Sequence, residues 1–146
     1  MTRGPRIGPI HHVAIVVRSI DASLARYREL FDLAPEEAPF VFAAQQVRLC
    51  FLPTGLDPAA RIELVEPVDA DSGVARFLSE RGEGVHHVCF VTDDLPTTLE
   101  ALVAAEAELI DREPRQGAHG TVAFVHPRTL NGVLWELLEP TGTESS

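Results

Sequence analysis

Two stretches of this sequence nearly superimpose: IHHVAIVVRSIDASLARYREL, from Ile10, falls on VHHVCFVTDDLPTTLEALVAA, from Val85, at an offset of 75 residues. His11 then meets His86, His12 meets His87 and Val13 meets Val88. Further on, IELVEP at 62–67 matches WELLEP at 135–140 at an offset of 73, which places Glu63 on Glu136. Between these, QVRLCFLP and GTVAFVHP both end an apolar run in proline, at Pro53 and Pro127. A repeat of this size means that one supersecondary unit is used twice, because a duplicated apolar pattern specifies the same local structure in each copy.

Each copy opens with a β-branched strand carrying the histidine pair. A helix is predicted next. In the first copy Ser19 or Asp21 can cap it, and Leu24, Tyr27 and Leu30 or Phe31 recur at three- and four-residue spacing as one apolar stripe. In the second, Asp93 or Asp94 precedes Pro96, whose missing amide is harmless in a first helical turn, and Leu99, Leu102 and Val103 continue the stripe. Two or three strands follow and close on the E-L-x-E-P segments, where proline ends the ladder. The expected fold class is therefore α+β, with tandem β-α-β-β-β modules at 10–67 and 85–140 inside one domain of residues 1–146, a length that suits a single core. The joint, DADSGVARFLSERGEG at 69–84, reads as a short connector helix around Val74, Phe77 and Leu78, broken by Gly82 and Gly84.

Composition narrows the function classes. A formal charge of −10 repels phosphate backbones, and no cluster of basic residues marks a nucleic-acid or membrane patch, so neither partner is expected. No apolar run approaches the roughly 18 residues that cross a bilayer, and the opening MTRGPRIGPI has no hydrophobic stretch of signal-peptide length; a cytoplasmic location is expected. Cys50 and Cys89 sit in apolar runs without a CxxC spacing and read as reduced core thiols.

The histidines and glutamates are harder to explain as core. Alternation puts His12 on a face with Ala14 and Val16, and His87 with Cys89 and Val91, while His11 and His86 point the other way. Both faces are largely apolar, so periodicity leaves open which histidine of each pair faces a site. Glu63 lies between Ile62 and Leu64, and Glu136 between Trp135 and Leu137. A mid-strand carboxylate among large apolar neighbours is costly to bury unless something positive meets it. Taken singly, each of these residues is more often solvated or hydrogen-bonded than a ligand. Their recurrence as a His-plus-Glu set in each copy favours a shared divalent cation, which two imidazoles and two carboxylates would satisfy.

From about Ile10 to Pro140 the sequence resembles the vicinal oxygen chelate superfamily and, within it, the methylmalonyl-CoA epimerases. The resemblance rests on IHHVAIVV, RIELVEP, ERGEGVHHVCFVTDDL, LIDREPRQGAHGTVAFVHP and NGVLWELLEP, of which the GAHG loop followed by FVHP and GVLWEL is the most specific. It implies a half-open barrel of paired β-α-β-β-β modules around a metal held by His12, Glu63, His87 and Glu136. It also implies one divalent ion per chain, cobalt first, with nickel, manganese, iron or zinc as alternatives. The implied reaction interconverts (2R)- and (2S)-methylmalonyl-CoA through a metal-stabilised enolate, with Glu136 doubling as one acid–base residue, and the expected assembly is a homodimer. Some epimerases carry a glutamate catalytic base where this chain has Leu49, which leaves the second base unassigned.

The PRQGAHG loop admits two readings: contact with the coenzyme A part of the substrate through Arg115, the amides of Gly117 and Gly120, and His119, or an ordinary Gly-rich turn. The rival activities are a lactoylglutathione lyase, which uses a similar metal set, and a metal-free small-molecule binding or resistance protein of the same fold. An extradiol dioxygenase fits less well, since Glu63 would crowd the open positions its iron needs.

Overall fold

The computed structural model describes residues 4–55 and 60–141. The chain divides into two compact units: His12–His86, called here the His12 unit, and the residues up to His11 together with those from His87 onward, the His87 unit.

The elements leading into and through the His12 unit are β1 (Ile7–Val16), α1 (Ile20–Phe31), β2 (Phe40–Phe42), β3 (Val47–Pro53), β4 (Arg61–Pro67) and α2 (Gly73–Arg81). Its strands run in the order β2-β3-β4-β1, with β1 parallel to β4 and the other neighbours antiparallel. The His87 unit repeats the plan with β5 (Gly84–Thr92), α3 (Leu95–Ala104), β6 (Arg115–Gln116), β7 (Gly120–Val125) and β8 (Trp135–Pro140) in the order β5-β8-β7-β6. Again the first strand runs parallel to the last and the rest are antiparallel. Each copy is thus the β-α-β-β-β module expected from the repeat, and α2 is the expected connector helix. Among the described residues no helix is long and apolar enough to cross a membrane.

The helix ends choose between the sequence alternatives. Ser19, in extended backbone, accepts from the Ala22 amide and caps α1, while Asp21 lies inside the first turn. Asp94 caps α3 by accepting from the Thr97 amide, with Pro96 in the first turn, and Gly82 ends α2 at φ +79°. One device recurs that the cap residues alone do not suggest. The Ile20 amide donates to Glu66 Oε1 at 2.7 Å and the Leu95 amide to Glu139 Oε1 at 2.7 Å, so the second glutamate of each E-L-x-E-P segment ties the end of the last strand to the start of its helix. The apolar stripes are shorter than predicted. Leu30 (57%), Phe31 (67%) and Val103 (47%) are exposed, because α1 runs a turn beyond the cluster that Leu24 and Tyr27 pack on, and α3 leaves its core contacts at Leu102.

In each unit the strands bury both faces, which explains why β3 reads as an almost continuous apolar run after Arg48. In the His12 unit the helix side holds Val17, Ile20, Cys50, Leu52 and Leu64 under α1, and the opposite side holds Ala14, Val16, Val47, Leu49 and Val65, with α2 side chains packed on them. In the His87 unit α3 covers Ala123, Val125 and Leu137, while Cys89, Val122 and Leu138 form the cluster on the other side. Cys50 and Cys89 are both buried, as expected of core thiols, and burial pushes the Cys50 thiol pKa up.

Candidate metal centre

Strand register decides which histidine shares a face with the carboxylate. In parallel β1 and β4, Ala14 lies opposite Glu63, and His12 precedes Ala14 by two residues, so His12 and Glu63 project to one side. In parallel β5 and β8, Cys89 lies opposite Glu136, which puts His87 on the glutamate's side by the same rule. His86 projects to the other, while a ring nitrogen of His11 lies within 4.8 Å of Cys89 Sγ. The His86 ring meets Phe77 of α2, 5.0 Å between centroids, and the His11 ring lies 5.9 Å from that of His119.

Each unit therefore holds one imidazole–carboxylate pair. His12 Nε2 is 3.5 Å from Glu63 Oε1, and His87 Nε2 is 3.1 Å from Glu136 Oε1. All four residues are less than a tenth exposed. Carboxylates at that depth among apolar strands need a compensating charge, and an imidazole offers only a partial one when neutral. In each unit an imidazole nitrogen beside a carboxylate oxygen is donor chemistry that suits a divalent first-row ion. The residues present thus fit the metal that the resemblance implies.

Register also brings out two residues to which the quoted motifs assign no role. Phe51 is paired with Glu63 across β3 and β4, and Phe124 with Glu136 across β7 and β8, so each aromatic ring stands beside a glutamate on the same face. The rings pack edgewise on the imidazoles: His12 on Phe51 at 5.7 Å and 71°, His87 on Phe124 at 5.3 Å and 89°. The offset of 73 that aligns Glu63 with Glu136 also aligns Phe51 with Phe124, and Glu66 with Glu139. Leu49 shares the face of Phe51, buried against Ala14, Val16, Val47 and Val65, so the position that is a glutamate in some epimerases is an apolar wall beside Glu63.

The loop before β7 is tightly built. Gly117 donates its amide to Gly120 O at 2.7 Å, and a Cβ at Gly117 would lie 2.8 Å from a Val122 methyl. Gly120 has φ +154°, and a Cβ there would sit 2.2 Å from the Glu139 carbonyl oxygen. Both glycines are thus required by packing against β7 and β8. Arg115, 45% exposed, pairs through Nε with Asp111 at 3.1 Å and lies over the Phe124 ring, while His119 is half-buried beside His11.

The profile of the glyoxalase/bleomycin resistance protein/dioxygenase superfamily matches residues 11–124. An uncharacterized protein, YqjC, of Bacillus subtilis is 40% identical over 92% of this chain and 94% of its own length. The ethylmalonyl-CoA/methylmalonyl-CoA epimerase of Cereibacter sphaeroides is 35% identical over 90% of this chain and 97% of its own. A variant of Streptomyces coelicolor methylmalonyl-CoA epimerase, solved in complex with 2-nitronate-propionyl-CoA, superimposes with a TM-score of 0.85 at 32% identity, covering 96% of this chain and 99% of that one. The chain belongs to the glyoxalase/bleomycin resistance protein/dioxygenase superfamily and, within it, to the methylmalonyl-CoA epimerase family. It is an enzyme of the epimerase type, and the α+β fold class of paired β-α-β-β-β modules is borne out.

Proposed function

We propose that this enzyme interconverts (2R)- and (2S)-methylmalonyl-CoA, and that His12, Glu63, His87 and Glu136 together hold one divalent ion in a single domain made of both repeats. The observation that carries the reading is the matched register of the two half-sites: each places one histidine of its pair, one mid-strand glutamate and one phenylalanine on one face. When bound, a divalent ion supplies Lewis-acid stabilisation of the negative charge that develops on the substrate's thioester and carboxylate oxygens.

The chain's own groups do the rest. The reacting carbon lies between those two carbonyl groups, and inversion requires that its proton leave from one face and return to the other. Glu136 is the residue proposed to take and return a proton on one side. Its carboxylate is buried beside His87, and Phe124 with Val122 keeps bulk water from that wall. Leu49 and Phe51 are the corresponding apolar wall in the other half, so the second acid–base group is not at position 49. The segment Arg115–Gly120 is proposed to contact the coenzyme A part of the substrate through the exposed Arg115 guanidinium and His119. The Gly117 amide already donates to Gly120, and Gly120 contributes through backbone shape.

The test is metal content followed by isotope exchange. Purified protein should hold about one divalent ion per chain. Incubation with either isomer of methylmalonyl-CoA in deuterium oxide should carry deuterium into the carbon between the carbonyls as the isomers interconvert. Chelation should abolish both processes and cobalt should restore them. A fully loaded protein that gives neither exchange nor inversion would overturn the epimerase reading, and turnover of the methylglyoxal–glutathione hemithioacetal instead would assign a lactoylglutathione lyase.

A further inference from the structure

We propose that Asp111 and Arg115 are positioning residues for the His87 half of the centre and act through the ring of Phe124. The inference rests on the metal-site reading above and adds residues to it that lie outside the ligand set.

Phe124 is held at three points by one short segment. Asp111 Oδ2 accepts its backbone amide at 2.9 Å, and its carbonyl accepts from the Ile110 amide at 2.9 Å and the Asp111 amide at 3.3 Å. The other carboxylate oxygen, Asp111 Oδ1, pairs with Arg115 Nε at 3.1 Å, with Asp111 only 17% exposed. That pair sets the guanidinium over the Phe124 ring, 5.4 Å from its centroid, where the negative face of the ring attracts the cation. The same ring packs at 89° and 5.3 Å against the His87 imidazole.

The contacts form a line from Asp111 through Arg115 and Phe124 to His87. An imidazole binds a metal well only when its nitrogen lone pair is already aimed, and a ring free to rotate loses affinity to that disorder. Phe124, fixed at its backbone by Asp111 and at its face by Arg115, restricts the imidazole's rotation. The device belongs to one half alone: the ladder that sets Arg115 opposite Val122 sets Phe40 opposite Leu49 in the other copy, so an apolar ring stands at the position of the arginine.

The test compares Asp111→Ala, Arg115→Met and Phe124→Leu, with Phe124→Tyr as the conservative variant and His87→Ala as the control. Three quantities are read: the cobalt dissociation constant by competition titration, the thermal midpoint of the metal-free protein, and the NMR shifts of the His87 ring protons in the metal-free protein. Asp111→Ala and Phe124→Leu should each weaken cobalt binding about tenfold or more, Arg115→Met by a smaller factor, and Phe124→Tyr should retain the wild-type constant. The His87 ring shifts should move in the same order. A merely structural role would lower the midpoint and leave the constant and the shifts unchanged, and that result overturns the proposal. An Arg115→Met variant altered in the Michaelis constant alone would overturn its part of the line and leave it as a substrate contact. If the wild-type protein takes no cobalt, the metal reading fails by itself, and the ring shifts of Asp111→Ala still decide whether the line to His87 exists.

Discussion

His12 Nε2 stands 3.5 Å from Glu63 with Phe51 beside it; His87 Nε2 stands 3.1 Å from Glu136 with Phe124 beside it. What the two halves share lies in the strands: histidine, glutamate, phenylalanine and the second glutamate that ties the last strand to the helix. What they do not share lies around the strands. Arg48 sits 3.8 Å from Glu66, whereas Thr121 occupies the matching position near Glu139. Asp111 and Arg115 brace Phe124, and a glycine begins β7 where a valine begins β3. The difference teaches that duplication preserves what strand register fixes, while connecting segments specialise each copy.

If the halves are equivalent as ligand donors, removing either imidazole should have the largest effect of any change considered. His12→Ala and His87→Ala should each lower cobalt affinity by about 100-fold or more, since one of four donors is lost. His11→Ala and His86→Ala should leave it near wild type, because each lies one residue off the strand position that shares a face with a glutamate. Equal losses from both members of a pair in a titration would break the register argument, and a loss from one half only would break the equivalence.

The strand starts should differ sharply in tolerance. Val47 and Gly120 are matching positions, yet Gly120 has φ +154° and no room for a Cβ against the backbone of Glu139. Gly120→Ala should therefore destabilise by about 3 kcal/mol, lowering the thermal midpoint by several degrees, because both strain and a backbone clash must be relieved. Val47→Ala removes two buried methyl groups and should cost about 1–2 kcal/mol. Similar losses from the two variants in a thermal scan would mean that the two strand starts have the same backbone constraint.

The tie between last strand and helix offers a finer comparison. Glu66→Ala and Glu139→Ala each leave a first-turn helix amide without its carboxylate, a loss of about 1–2 kcal/mol. Glu66→Ala should cost a few tenths more, since Arg48 also loses a partner. Chemical denaturation of the two variants checks this. A negligible loss in either would show that solvent replaces the glutamate there.

Much of this was legible in the repeat, because module order, helix positions and the glutamate pair all follow from apolar periodicity and a constant offset. The choice of His12 and His87 over His11 and His86 was not, since alternation defines two faces without saying which one meets Glu63 or Glu136; that takes the cross-strand partner. Phe51 and Phe124 match at the same offset, but an apolar residue in an apolar run carries no sign that one ring edge meets an imidazole. Leu30, Phe31 and Val103 misled because a periodic stripe gives a direction around a helix and not the point along it where the packing partner ends. Asp111 lies inside a segment of the resemblance but has nothing in its spacing that assigns it a role. Its role depends on a loop folding back to the Phe124 amide, a contact without periodicity.

The smallest expected effect concerns acid, and it falls on the His87 unit. Arg6 donates to Asp93 beside α3 and its own amide donates to Thr98, tying the segment before β1 to that helix, while Arg128 donates to Glu108 near the end of β7. The hydrogen bonds from Arg6 and Arg128 hold the Asp93 and Glu108 carboxyls below the usual carboxylate range. A carboxyl whose folded pKa is depressed contributes stability that is fully present above its unfolded pKa and is lost as pH falls through the folded value. Stability should thus be flat from neutral pH to about pH 5 in these terms and decline below about pH 4. Both pairs are open to solvent, so 1 M salt should erase most of the decline. Hydrogen exchange at the start of α3, compared between wild type and Asp93→Asn, reads it directly: the two proteins should differ at pH 6 in low salt and converge as the pH is lowered. A difference that persists at pH 3 would mean that Asp93 acts through the local backbone and not through the charge of Arg6.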